Sequence, residues 1–195
     1  MEITTEVIKE LRDKTGISVM QCKKALEEAS GDMEKAIMLL KKKSGEIASK
    51  KSDRSLGSGT IAAYIHAGGT VGSMIELSCE TDFVAKNEEF KKLAYDIAMH
   101  SAATNPEFVS VDDISEDDKK KAVEMFEKEV NESDKPEDIK KKMLEGKLNS
   151  YFNERILLEQ SFVKNPDITI KGLLEEAVQK FGERTEITNF VRFSI

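Results

Sequence analysis

Two cysteines, two histidines, no tryptophan and no long apolar run set the first limits on this chain of 195 residues. Cys22 and Cys79 make neither a CxxC pair nor a disulfide framework, which fits a reducing, cytoplasmic setting. No apolar stretch approaches the ~18–20 residues needed to cross a bilayer. Glu2, Glu6, Glu10, Arg12 and Asp13 crowd the region where a secretory signal would need an apolar segment. His66 and His100 are the only histidines, and no GxxxxGK[ST], GxGxxG, GxSxG or HExxH occurs. Ala67-Gly68-Gly69 is explained by a tight turn, and no helix start follows it as a phosphate site would require. Asp112-Asp113 and Asp117-Asp118 read as solvated helix starts, and His100, beside Met99 on a helix, as a packed or surface residue. Nothing here argues for an enzyme, a bound metal or a cofactor.

Charge is plentiful but negative on balance. With 34% charged residues, a net charge of −7 and only 6% aromatics, the chain is a poor partner for nucleic acid. The lysine runs 41–43, 119–121 and 140–142 are the one feature pointing the other way. Hydrophobic residues at 39% allow a core to form under a heavily solvated surface. A protein-facing role follows.

Residues 1–43 read as three short helices. Thr4 or Thr5 caps the first, which carries Val7, Ile8 and Leu11 on one face and stops at Gly16. Ser18 and Gln21 form a capping box for the second, whose inner face is Cys22, Ala25, Leu26 and Ala29. Gly31 supplies the left-handed stop, and Asp32 caps a third helix with Met33, Ala36, Ile37 and Leu40. Three helices in so few residues bury little surface, so the unit suits docking better than catalysis. Residues 44–58, rich in Lys, Ser and Gly, are expected to be a helical extension fraying into a linker.

At Gly59 the hydrophobic period changes from 3.6 to 2. Ile61, Ala63 and Ile65 alternate with Ala62, Tyr64 and His66, and Val71 to Cys79 alternates again after a glycine-bearing turn, which predicts a β-hairpin. A helix over about Glu88 to Ala103 follows, ended by Asn105-Pro106. Further helices are expected after Ser115, after Pro136 and after Thr169, with Asn165-Pro166-Asp167 as a turn. Residues 186–195 alternate as a last strand. The fold class is α+β, with residues 59–195 as a core built on a small antiparallel sheet and several helices.

Thr81 to Asn87 lies between a strand and a helix, where Asp82 or Thr81 can accept orphan N–H bonds. Phe83 could staple back against the following helix. The sharper alternative is that it projects from a rigid turn into a partner's pocket, as aromatic anchors do. The residues alone leave both open.

At this point the motifs resemble a known family. Leu11 to Leu26, with Gly31-Asp32, is similar to the N-terminal module of bacterial elongation factor Ts, and Cys79-Glu-Thr-Asp-Phe-Val-Ala-Lys-Asn87 resembles that family's most telling motif. Ile97 to Phe108, Lys142 to Lys147, Gln160 to Val163 and Arg192-Phe193 fall in family order. The resemblance implies a UBA-like N-terminal module, an α+β core and guanine-nucleotide exchange on elongation factor Tu (EF-Tu). It implies N-terminal docking through Arg12, Val19 and Met20, with Val19 standing where the family often has methionine. It casts Asp82 and Phe83, framed by Thr81 and Val84, as a wedge near the GTPase's Mg²⁺ site, and His66 as a further contact. Longer members carry two related half-cores, so this chain is expected to form a homodimer, with residues 186–195 as a candidate contact. A protein-binding adaptor with a UBA-like module is the alternative function.

Overall fold

The computed structural model describes residues 3–133 and 135–195. Helix α1 (Thr5–Thr15) starts where the Thr4 hydroxyl accepts from the Val7 N–H, and it ends at Gly16, whose φ of 68° is left-handed. Ser18 accepts from the Gln21 N–H at the start of α2 (Val19–Glu28), and Asp32 accepts from the Lys35 N–H at the start of α3 (Met33–Ser49). Ile8, Leu11, Ile17, Cys22, Leu26 and Leu40 form the inside of this unit. The inner faces are those the helical spacing predicts.

The third helix carries the expected extension as far as Ser49 without fraying. Residues 44–49, anticipated as the fraying start of a linker, continue α3 because they have something to pack on. Ser44 is buried and donates to the Gln179 side chain, and Lys41 Nζ reaches the Asp167 carbonyl at 3.3 Å. Both partners lie in or beside α8 (Ile170–Phe181). The small N-terminal core is thus extended by a seam between α3 and α8.

Strands β1 (Ser58–Ile65) and β2 (Val71–Cys79) form the expected hairpin, with Gly68 and Gly69 at φ 92° and 72° in its tip. Strand β5 (Thr185–Ser194) pairs antiparallel with β2, giving the sheet order β1-β2-β5. Helix α5 (Glu88–Thr104) covers one face of this sheet with Phe90, Ala94, Ile97 and Ala98. The period-2 pattern of the tail is interrupted by a bulge between Glu76 and Leu77 that leaves Thr188 unpaired. Ile187 therefore points into the core while Val191 and Phe193, of the same parity, point out.

Among the described residues the opposite sheet face carries no helix. Ile61, Ile65, Met74, Val191 and Phe193 are exposed there, and Met74 is paired to both Ala63 and Val191. Gly72 lies between Ile65 and Phe193, and a Cβ at that position would meet Ile65 Cδ1 at 2.6 Å.

After α5, helices α6 (Glu116–Asn131) and α7 (Glu137–Asn153) pack on each other as an antiparallel pair, Phe126 meeting Tyr151 edge-on at 5.5 Å. Asn165-Pro166-Asp167, expected as a turn, instead begins strand β4 (Asn165–Thr169), which pairs with β3 (Ser161–Phe162). The Asn165 side chain still accepts from the Asp167 N–H, so local turn chemistry is present inside a short ladder. A mixed chain of eight α-helices and a small antiparallel sheet among the described residues is an α+β fold.

Candidate functional site

Strand β2 ends at Cys79 and the chain turns at once into α4 (Asp82–Ala85), a single helical turn. Its two sides are unlike. Val84 and Ala85 are buried in the main core, whereas Phe83 exposes 81% of its surface. The staple arrangement, with the ring tucked against the following helix, is therefore not formed. Asp82 is also exposed and accepts a hydrogen bond from Lys86 Nζ at 2.6 Å, which holds its carboxyl below the usual range. Val84, with 5% of its surface exposed, seats the turn in the core, while Asp82 and Phe83 face outward.

The residues before the turn are held from the C-terminal end of the chain. Gly182, at φ 75°, ends α8 and redirects the backbone so that Glu183 faces Thr81. The Thr81 N–H donates to Glu183 Oε2 at 2.9 Å and its hydroxyl to Oε1 at 2.6 Å. Glu80 accepts from the Arg184 N–H at 2.7 Å and from Arg54 Nη1 at 3.2 Å; the backbone bond is the main reason its carboxyl sits below the usual range. Cys79 is buried, its Sγ 3.2 Å from the Thr81 carbonyl, and burial, then the Glu183 charge, pushes its thiol up. Its role is packing, since reactive thiols need the opposite environment.

In the N-terminal unit, Arg12 is exposed in the last turn of α1, and Val19 and Met20, 51% and 76% exposed, begin α2. The short Gly16–Ser18 link puts all three at one end of the unit. That end lies against α8, because a Cβ built on Gly16 would be 3.4 Å from Lys180 Nζ. Lys180 in turn pairs with Glu89, in the first turn of α5, just after the Phe83 turn. Lys180 thus lies between the α1–α2 link and the start of α5.

His66 stands apart. It is exposed at the hairpin tip, its Nδ1 3.1 Å from the Tyr64 hydroxyl, and Tyr64 is braced edge-on by Tyr95 at 5.8 Å between centroids. The nine residues of β2 separate this tip from Thr81, which at ~3.3 Å per residue is roughly 26–30 Å. These groups lie on a broad, discontinuous surface.

The family model for elongation factor Ts matches residues 1–195. The chain belongs to the elongation factor Ts family. It is 49% identical over 193 residues to elongation factor Ts of Carboxydothermus hydrogenoformans, covering 99% of this chain and 89% of that protein. It is 48% identical over 195 residues to that of Syntrophus aciditrophicus, covering 100% of this chain and 97% of the relative. The Desulfotalea psychrophila protein is 49% identical over 195 residues, with 100% and 99% covered. Membership supports a role in translation elongation. Among the described residues no helix is long and apolar enough to cross a membrane.

The sequence pointed to the Thr81–Val84 turn but not to what holds it. Glu183 follows a helix-ending glycine and belongs to no recognisable pattern; only the fold brings it across 102 residues to Thr81.

Proposed function

We propose that this protein is a guanine-nucleotide exchange factor for EF-Tu in the cytoplasm. The observation that carries the reading is Phe83, a large apolar ring held almost bare on a turn whose other side is sunk in the core. A monomer gains nothing from such exposure, whereas an aromatic on a rigid support loses little entropy on entering a pocket.

The mechanism is linkage without a chemical step of the factor's own. A protein that binds the nucleotide-free GTPase better than the GDP-bound form must weaken GDP by the same factor. Residues 1–43 are the docking module, presenting Arg12, Val19 and Met20; residues 44–58 join it to the core, residues 59–195. From the core, Asp82 and Phe83 press toward the GTPase's Mg²⁺ site, with Thr81 and Val84 fixing the turn and His66 touching the partner farther off. GTP then displaces the factor. Nucleic acid and membrane have no part in this cycle.

A second copy of the chain completes the assembly. The helix-free sheet face groups Ile61, Ile65, Met74, Val191 and Phe193, all exposed, in neighbouring strands. An apolar face of this kind is costly to leave in water, and a second copy related by a two-fold axis would cover it with the same residues. The tail 186–195 thus contributes through its outward side chains.

Gel filtration with purified EF-Tu tests the reading. A stable complex is expected in chelator without nucleotide and its loss on adding GDP with Mg²⁺; a complex indifferent to nucleotide would favour an adaptor.

A further inference from the structure

Helix α4 is too short to hold its own direction. Its backbone bonds are the Ala85 N–H to the Thr81 carbonyl at 3.2 Å, the Lys86 N–H to the Asp82 carbonyl at 3.1 Å and the closing Asn87 N–H to the Val84 carbonyl at 3.0 Å. Thr81 stands at the N-cap position, yet its side chain makes no cap bond to the helix. Its hydroxyl and its N–H are both spent on the Glu183 carboxylate. The Phe83 ring, 81% exposed, inherits its direction from this backbone.

We propose that Glu183 is a positioning residue for the exchange wedge: its two-pronged grip on Thr81 sets the direction in which Phe83 leaves the turn. The inference rests on the exchange reading and adds to it a residue outside the motif. Val84 and Ala85 fix the turn from below, and Cys79 and Glu80 hold the strand that enters it, but the Thr81 N–H and hydroxyl are held by Glu183. Glu183 holds both because its forked oxygens match an N–H and an O–H on one residue. Without it, the freed Thr81 hydroxyl can swing to the unfilled cap position, an alternative that Thr side chains take up readily. Gly182 makes the approach possible, since its left-handed φ turns the chain sharply out of α8.

The chemistry ranks the substitutions. Gln at this position keeps an acceptor for the N–H and offers its amide to the hydroxyl; Ala offers neither. Thr81→Val removes the hydroxyl bond alone.

The test has two readouts. In labelled-GDP release from EF-Tu, E183A is expected to lower the maximal rate roughly tenfold, the scale of one charged hydrogen bond, with the half-saturating concentration changed less than about twofold. E183Q should recover most of that loss, and E183A with T81V should be no slower than E183A alone. In ¹⁹F NMR of the chain with 4-fluorophenylalanine at position 83, the single line of the parent should broaden or split in E183A and not in E183Q. An unchanged maximal rate with an unchanged line, or strictly additive losses in the double variant, would overturn the proposal. Should E183A not fold, a T81V chain with the parent's rate and line shape would overturn it equally. A parent chain that releases no GDP while E183A still splits the line would sink the exchange reading and leave the positioning role standing.

Discussion

Lys180 Nζ lies 2.7 Å from Glu89 Oε1 and beside Gly16, so one side chain near the end of α8 touches the link between α1 and α2 and the helix that follows the Phe83 turn. An exposed ion pair of this kind contributes little stability, about 0–1 kcal/mol. The N-terminal unit is placed instead by the α3–α8 seam, where Ser44 meets Gln179.

Glu176 in α8 gives this neighbourhood a measurable pH response. Burial, opposed by Lys41 and reinforced by Glu175, raises its carboxyl above the usual value. A raised folded-state value means that stability is fully present below the unfolded value and is lost as pH rises through the folded one. E176Q should therefore melt higher than the parent at neutral pH, and the advantage should vanish near pH 4, about the unfolded value. Thermal melts at the two pH values decide it; an equal gain at both would mean that charge is not the cause.

His100 should act in the opposite direction. It is fully buried, its Nε2 2.9 Å from Gln160 Oε1 and its Nδ1 accepting from the Val163 N–H, and burial lowers its value, with the Gln160 bond opposing. A depressed histidine stays neutral in the folded chain while the unfolded chain takes up a proton. Stability should be level above about pH 7 and decline as pH falls below the unfolded value of about 6.5. H100Q should lose about 1–3 kcal/mol at neutral pH, since Gln cannot fill both bonds, and show a flatter profile between about pH 5 and 7. Urea titrations across that range are the measurement.

Phe193 is 70% exposed on the helix-free sheet face, opposite Gly72. F193D should convert a dimer to the 21.8 kDa monomer in sedimentation without lowering the melting temperature of the monomer itself. A parent chain that sediments only as monomer at micromolar concentration would contradict the paired assembly.

Much of this was legible in local pattern. Thr4, Ser18, Asp32, Ser115 and Thr169 each cap the helix that the spacing implied, because capping needs only neighbours in sequence. The Thr81–Val84 turn was visible as the junction of two periodicities. Three features were not visible, each for a long-range reason. The extension of helix α3 holds to Ser49 instead of fraying because α8 lies against it. The tail changes face because of a bulge against β2. Residues 165–167 extend because a two-residue strand pairs with their segment, and two residues carry no period. Whether Phe83 points in or out was likewise undecidable from spacing, since a staple and a wedge use the same residues.

The most direct test of the account is stopped-flow release of fluorescent GDP from EF-Tu by the parent chain and by F83A. The parent is expected to accelerate release. Because the ring is exposed, F83A should fold with stability changed by no more than about 0.5 kcal/mol. It should keep its half-saturating concentration and lose at least roughly tenfold in maximal rate, as a central aromatic anchor would. Equal maximal rates for a folded F83A and its parent would contradict the account.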